Sequence, residues 1–152
     1  MSLNIDNVGK KYEIRSSKAS INALNGVSLN LEVGKTLGIV GESGCGKSVT
    51  ARSILQLIPQ PPGNISKGAI YFKDENLLNA SKKRIRQIRG NEISMIFQEP
   101  MSSLNPVFTV ENQMMEVVRL HRKLKRKIAY EMCVDMLNQV QMPAPEQVLK
   151  KY

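Results

Sequence analysis

The chain has 152 residues, of which 41% are hydrophobic and 23% are charged, a composition typical of a single globular domain. No apolar run approaches the roughly 18 to 20 residues that cross a bilayer, and the first residues lack the apolar segment of a secretory signal, so we expect a cytosolic protein. The formal net charge of +9 would suit phosphate groups, anionic lipid headgroups or nucleic acid. Its two cysteines, Cys45 and Cys133, lack metal-ligand spacing and are expected to be free thiols.

Apolar patterns predict strands and one helix in the first two thirds of the chain. Residues 3–12 and 21–32 alternate apolar and polar side chains, as half-buried strands do. The short, nearly continuous apolar run "TLGIV", residues 36–40, predicts a strand covered on both faces. A glycine-rich stretch follows, and then helical spacing continues as far as Ile58, where "PQPPG" ends the helix.

Two more strands are predicted at residues 68–72 and 93–97, with a short basic helix between them. From residue 107 onward the apolar residues recur only at helical spacing. One stripe contains Val110, Met114, Val117, Val118 and Leu124, and a second contains Ala129, Met132, Cys133, Met136, Leu137 and Val140. This methionine-rich surface fits either core packing or a docking face for a partner helix.

Basic residues are concentrated in two runs, "KKRIRQIRG" at residues 82–90 and "RLHRKLKRK" at residues 119–127. Both are interpreted as solvated faces of helices. Neither run is interleaved with aromatic side chains and no nucleic-acid reader motif accompanies them, so we expect no nucleic-acid partner.

The stretch "GESGCGKS", residues 41–48, matches the pattern G-x-x-x-x-G-K-[ST] between a predicted buried strand and a predicted helix. Wrapping a polyphosphate in backbone N–H groups requires residues without a Cβ where the chain passes closest, and Gly41, Gly44 and Gly46 meet that need. Lys47 can reach the β- and γ-phosphates, and the Ser48 hydroxyl can bind Mg²⁺. The stretch therefore predicts a phosphate-binding loop for a nucleoside triphosphate.

This loop and the passage "ISMIFQEPMSSLNPVFTV", residues 93–110, resemble the N-terminal portion of the ATP-binding subunit of an ABC transporter. The residues of these two passages are most similar to those in the ATP-binding subunits of importers of oligopeptides, dipeptides and nickel. The resemblance implies an α/β P-loop NTPase core, incomplete here, followed by the start of an α-helical subdomain. It implies domains at residues 1–102 and 103–152, with ATP and Mg²⁺ as the bound cofactors.

The resemblance also assigns roles to individual residues. Tyr12 matches an aromatic residue that stacks on adenine, and Gln98 matches the glutamine of the family's Q-loop, which approaches Mg²⁺ or the attacking water. Ser48 and Gln98 are therefore the expected metal contacts. The nucleotide contacts expected from the loop are Gly41, Glu42, Ser43, Gly44, Cys45, Gly46, Lys47 and Ser48.

Other family motifs do not occur in this sequence: the signature, the strand that ends in a carboxylate followed by a catalytic Glu, and the switch His. The only histidine, His121, belongs to a basic run. Two hypotheses follow: an ATP-binding segment of an importer whose complete form hydrolyses ATP, or a truncated binding or interaction module without turnover. No catalytic residue is assigned. An unrelated P-loop kinase or nucleic-acid motor is disfavoured by the Q-loop passage.

The resemblance implies partners and a location for the complete protein. The partners are transmembrane permease subunits and a second ATP-binding subunit, identical or homologous. The location is the cytoplasmic face of the inner membrane, as a peripheral protein. The resemblance further implies that the strands of this portion lack parallel neighbours that the rest of the family's domain supplies.

Overall fold

A computed structural model describes residues 2–14, 19–59, 61–98 and 104–152 of the chain. The chain divides into two compact units, Met1–Arg86 and Gln87–Tyr152. The expected domain boundary between residues 102 and 103 lies outside the described residues. Within the described ranges, every helix is too short or too polar to traverse a bilayer.

The first unit contains an antiparallel sheet with the strand order β2-β1-β3-β4. The strands are β1 Leu3–Glu13, β2 Ser20–Leu31, β3 Gly63–Phe72 and the short β4 Glu75–Asn76. Helix α1, Lys47–Ile54, follows the glycine-rich loop, a 3₁₀ turn spans Leu77–Asn79, and α2 spans Lys82–Ile88. The two alternating patterns, the strand at residues 68–72, the helix after the loop and the short basic helix are thus confirmed.

Two apolar side chains of β1, Ile5 and Val8, are buried, although a register shift between them interrupts the two-residue alternation of the strand. Ile5 and Val8 are each only 1% exposed, and Ile5 pairs with Ile70 of β3, which is fully buried. Val8 pairs with Val27 of β2. These cross-strand apolar pairs anchor the three long strands to one another.

The predicted strands at residues 36–40 and 93–97 are not formed, and those two predictions are wrong. The apolar side chains of the first segment are open to solvent: Val40 is 92% exposed and Ile39 is 50% exposed. Ile96 in the second segment is 93% exposed. A strand buried on both faces needs hydrogen-bonded neighbours on its two edges and layers above and below it. The described residues provide only the antiparallel sheet, and neither segment pairs with it.

The second unit is helical, as predicted from residue 107 onward. Its helices are α3 Val110–Arg122, α4 Arg126–Gln139 and α5 Pro145–Leu149. A small core forms where the three helices meet, from Met115, Ala129, Cys133, Leu137 and Leu149. The backbone N–H of Val110 donates to the carbonyl of Lys151 at 2.9 Å, which fastens the last residues to the start of α3.

The two predicted stripes are only partly correct. Ala129, Cys133 and Leu137 of the second stripe are buried, whereas Met136 is 49% exposed. In α3 the buried residue is Met115, and the predicted Val117 is 48% exposed. The other predicted residues of this stripe, Val110, Met114, Val118 and Leu124, are partly buried against the core. The apolar residues of α3 therefore extend beyond the face that the small core covers, and some remain on the surface.

Candidate functional site

The side chain of Lys47 curls back into the glycine-rich loop. Its Nζ donates to the carbonyl oxygen of Gly41 at 2.7 Å and to that of Glu42 at 2.8 Å. Nζ also lies 3.5 Å from the Sγ of Cys45. The ammonium is therefore placed inside the curve of the loop, where a phosphate group held by the loop would meet it.

The turn into α1 depends on glycine at position 46. Gly46 caps α1 with φ 100° and ψ 0°, a left-handed conformation that side chains rarely adopt. A Cβ at this position would lie 2.9 Å from Cδ2 of Leu24 and 3.1 Å from the carbonyl oxygen of Ala23. The loop thus approaches strand β2 so closely that only glycine fits without a shift.

The backbone N–H groups of the loop are available to a ligand. Cys45 N donates to the carbonyl of Glu42 at 3.3 Å, which closes a tight turn. The other loop amides donate no hydrogen bond to any described residue. They are the N–H groups of Ser43, Gly44, Gly46, Lys47 and Ser48. Unpaired amides at the start of a helix carry partial positive charge and bind anions. A run of such donors beside an ammonium is suited to a polyphosphate.

Hydroxyl groups on α1 have two different roles. The Thr50 Oγ1 donates to the carbonyl of Gly46 at 3.0 Å, and Ser53 Oγ donates to that of Val49 at 2.7 Å, so both are used inside the helix. Ser48, at the first turn, is exposed and has no such bond in the described structure. Its hydroxyl can therefore serve an external ligand.

The residues of the loop fit a Mg²⁺ ion that is bound mainly through nucleotide oxygens. Among the described residues there is no group of three or more His, Cys, Asp or Glu side chains that could hold a metal. Mg²⁺ usually takes one or two protein oxygens and completes its octahedron with phosphates and waters. The free hydroxyl of Ser48 meets that requirement, whereas a metal site built wholly from protein ligands does not fit.

Tyr12 lies in β1, opposite Ile21 of β2 and Gly63 of β3. Its ring is close to Gly63, where a Cβ would lie 3.1 Å from Cε1 of Tyr12. The ring is half-buried, so part of its surface remains open to a ligand. The structure therefore places Tyr12 in the same unit as the phosphate-binding loop.

Lys10, on the same face of β1 as Tyr12, was missed by the sequence analysis. It is 1% exposed and pairs with Leu24, the residue that touches Gly46. Desolvation by burial lowers the pKa of Lys10 below its ordinary value. The two-residue period that includes Val8 and Tyr12 is the signal that could have placed this lysine on the buried face.

Gln98 belongs to the second unit, and its side chain is exposed in a bend. Residues 99–103, which continue the passage resembling the Q-loop, lie outside the described residues. Of the expected nucleotide contacts, the first unit thus holds Tyr12 and the whole loop, while Gln98 lies in the other unit.

Comparison with known proteins extends these observations. The sequence pattern of the ABC transporter family matches residues 24–151. The probable peptide ABC transporter ATP-binding protein y4tR of Sinorhizobium fredii is 48% identical over 130 residues, covering 86% of this chain and 39% of that protein. The oligopeptide transport ATP-binding protein OppD of Bacillus subtilis is 44% identical over 132 residues, covering 87% of this chain and 37% of that protein. The chain spans about two fifths of the length of these relatives.

Solved structures show the same fold. The dimeric structure of MJ0796, a bacterial ABC transporter cassette, matches with a TM-score of 0.80 at 20% identity, covering 98% of this chain and 60% of that one. A post-hydrolysis state of MJ0796 bound to ADP and Pi matches with a TM-score of 0.71 at 23% identity, with the same coverage. The expected fold class, an incomplete α/β P-loop core followed by helices, is confirmed by this likeness. With a family match from residue 24 to residue 151 and a phosphate-binding loop in place, the chain belongs to the ABC transporter family.

Proposed function

We propose that this chain is the nucleotide-binding part of an ATP-binding subunit that energises the import of peptides. The observation that carries the proposal is the set of five unpaired loop amides, those of Ser43, Gly44, Gly46, Lys47 and Ser48, with the Lys47 ammonium inside the same loop. The relatives described above are named for peptide and oligopeptide transport, which supports a peptide rather than nickel as the cargo. The cargo itself would be selected by other subunits.

The loop binds the phosphates of ATP through its backbone. The unpaired amides among residues 43–48 donate to phosphate oxygens, and the dipole of α1 adds a favourable field at the same point. Lys47 then exchanges its bonds to the carbonyls of Gly41 and Glu42 for bonds to the β- and γ-phosphates. Mg²⁺, when bound, neutralises phosphate charge, and the Ser48 hydroxyl donates an oxygen ligand to it. Tyr12 would stack on the adenine, and Gln98 would serve the metal or the attacking water, as the family resemblance implies.

Calorimetric titration with MgATP tests this binding site. Replacing Lys47 by Ala removes a charge-assisted contact, so we expect a tenfold to hundredfold loss of affinity, or about 1.5 to 3 kcal/mol. The matched control is Lys35→Ala, which removes the same charge from an exposed lysine outside the loop. Equal affinity of the Lys47→Ala chain and the unchanged chain would show that the loop does not hold the phosphates.

We further propose that the chain binds ATP without turning it over by itself. Hydrolysis needs a group that orients and polarises the attacking water, in addition to a phosphate cradle. The sequence contains the cradle but no counterpart of the family's catalytic Glu, signature or switch His. A steady-state phosphate-release assay beside Lys47→Ala should give equal rates. Release above that control, rising with protein concentration, would contradict the proposal.

The partners we propose for the complete protein are permease subunits and a second ATP-binding subunit, at the cytoplasmic face of the inner membrane. An apolar groove in the second unit supports a helical partner: it encloses about 560 Å³ and is lined by Leu104, Phe108, Met114, Val117 and Met136 among others. Flexible methionine side chains suit the docking of an amphipathic helix. The groove supports the hypothesis of a docking face that the methionine content suggested.

A Val117→Asp change should weaken assembly with the permease, whereas Val140→Asp, at an exposed site outside the groove, should not.

A further inference from the structure

The turn between α3 and α4 is strongly basic and open to solvent. Residues 119–127, here called the basic turn, contain six Lys and Arg in nine positions, and all six are exposed. Arg126 forms an ion pair with Glu111, at 3.4 Å between Nη2 and Oε1, and its side chain remains 79% exposed. In the described part of the chain the other five, Arg119, Arg122, Lys123, Lys125 and Lys127, have no ion pair.

Favourable interaction with a helix dipole accounts for only three of these six charges. Arg119 and Arg122 lie in the last turn of α3 and Lys123 caps it, where cations interact favourably with the helix dipole. The other three cations lie at the N-terminal end of a helix, at the start of α4, where the dipole is positive. They are Lys125, Arg126 and Lys127. That first turn has no acidic residue and its cap makes no side-chain hydrogen bond. Cations at the start of a helix interact unfavourably with its dipole, and of these three only Arg126 has an acidic partner among the described residues, so Lys125 and Lys127 lower the stability of α4.

We propose that the basic turn binds the anionic headgroups of a lipid bilayer. Clusters of four to eight Lys and Arg attract anionic membranes, with a strength that sums over the charges brought to the surface. The inference rests on the proposed function for its location, because it assumes that the protein works at a membrane face.

The composition of the basic turn favours lipid over nucleic acid. It contains no Phe, Tyr or Trp on which a base could stack. It does contain Leu120, which is 43% exposed among the cations. An apolar side chain surrounded by cations can enter the headgroup region while the charges stay at the interface. The second leucine, Leu124, packs against the helical core and holds the turn in place.

Vesicle co-sedimentation of the full chain tests the proposal. The probes are vesicles of phosphatidylcholine alone and of equimolar phosphatidylcholine and phosphatidylglycerol, without nucleotide. We expect binding to the anionic vesicles only. Each lysine at such a surface strengthens binding about fivefold, so Lys123→Gln, Lys125→Gln and Lys127→Gln together should weaken it roughly a hundredfold.

A matched control separates this surface from net charge. Lys82→Gln, Lys83→Gln and Arg86→Gln remove the same charge from exposed positions on α2, and should weaken vesicle binding by no more than about threefold. Circular dichroism should show unchanged or higher helix content in the basic-turn variant, because repulsion at the start of α4 is relieved. On the unchanged chain, about 1 M salt shortens the screening length to roughly 3 Å and should release the protein.

Three results would overturn the inference: equal loss from the two triple variants, equal binding to both kinds of vesicle, or binding that persists in high salt. If the basic-turn variant instead loses affinity for a mixed-sequence DNA duplex and keeps its vesicle binding, the surface is a nucleic-acid site and the lipid assignment is wrong. A chain that binds vesicles but not MgATP overturns the proposed function alone, and the reverse result overturns this inference alone.

Discussion

Replacing Gly46 by alanine tests whether the phosphate-binding loop is held against the sheet by close contact. The new Cβ would lie 2.9 Å from Cδ2 of Leu24, which can move, and 3.1 Å from the carbonyl oxygen of Ala23, which belongs to a paired strand and cannot move freely. The residue would also keep φ at 100°, beyond the left-handed region that alanine tolerates. Both effects disfavour the folded state.

The magnitude follows from adding the two effects. A strained backbone conformation costs about 1 to 3 kcal/mol, and forcing extra volume into a close contact costs about 1 to 3 kcal/mol. Alanine also leaves the unfolded chain fewer conformations than glycine does, which offsets about 0.4 to 1 kcal/mol of this destabilisation. We therefore expect Gly46→Ala to lower the free energy of unfolding by about 3 kcal/mol.

Gly34→Ala is the matched control, because Gly34 has a positive φ of 71° but nothing within 4 Å of the added Cβ. Its backbone lies close to the ordinary left-handed region, so we expect a loss of about 1 kcal/mol or less. Urea denaturation of both variants measures the difference, and calorimetry with MgATP shows whether the loop still binds. If Gly46→Ala lies within about 0.5 kcal/mol of Gly34→Ala, close approach of the loop to β2 does not matter for stability and the argument fails.

Local patterns in the sequence predicted most of the elements. The phosphate-binding loop was identifiable because its chemistry is contained in eight consecutive residues, from Gly41 to Ser48. Helices α3 and α4 were identifiable because their apolar residues repeat at helical spacing, and β1 and β2 because theirs alternate. In each case the neighbours that stabilise the element are close in sequence or belong to the same sheet.

The predictions that failed depended on distant partners. An apolar run such as residues 36–40 becomes a strand only if neighbouring strands accept and donate its backbone hydrogen bonds, and the run itself does not reveal whether they exist. The choice of Met115 over Val117 for the helical core depends on where α4 and α5 cross α3, which spacing alone does not fix. The burial of Lys10 was hidden by its charge, because a lysine on the inner face of a strand contradicts the usual distribution of charged residues.

Three further predictions concern buried and exposed side chains. A thiol reagent should label the exposed Cys45 quickly and the buried Cys133 only after unfolding. The pKa of the Cys133 thiol is raised, first by burial and then by the negative charge of Glu111, so less of the reactive thiolate is present. Bound MgATP should slow the labelling of Cys45. Leu149→Ala should cost about 2 to 4 kcal/mol in urea unfolding, since Leu149 is fully buried among the helices. Lys10→Met should stabilise the protein at neutral pH by about 1 to 3 kcal/mol, because it removes a buried charge and keeps most of the side-chain volume. The pKa of Lys10 is lowered in the folded state, so the unfolded chain binds more protons between that lowered value and its ordinary 10.5, and wild-type stability should rise with pH through this window. The gain in the free energy of unfolding from Lys10→Met should therefore shrink as pH approaches 10.5. If the gain stays constant with pH, or if the variant is less stable than wild type at neutral pH, the Lys10 ammonium is stabilised where it lies.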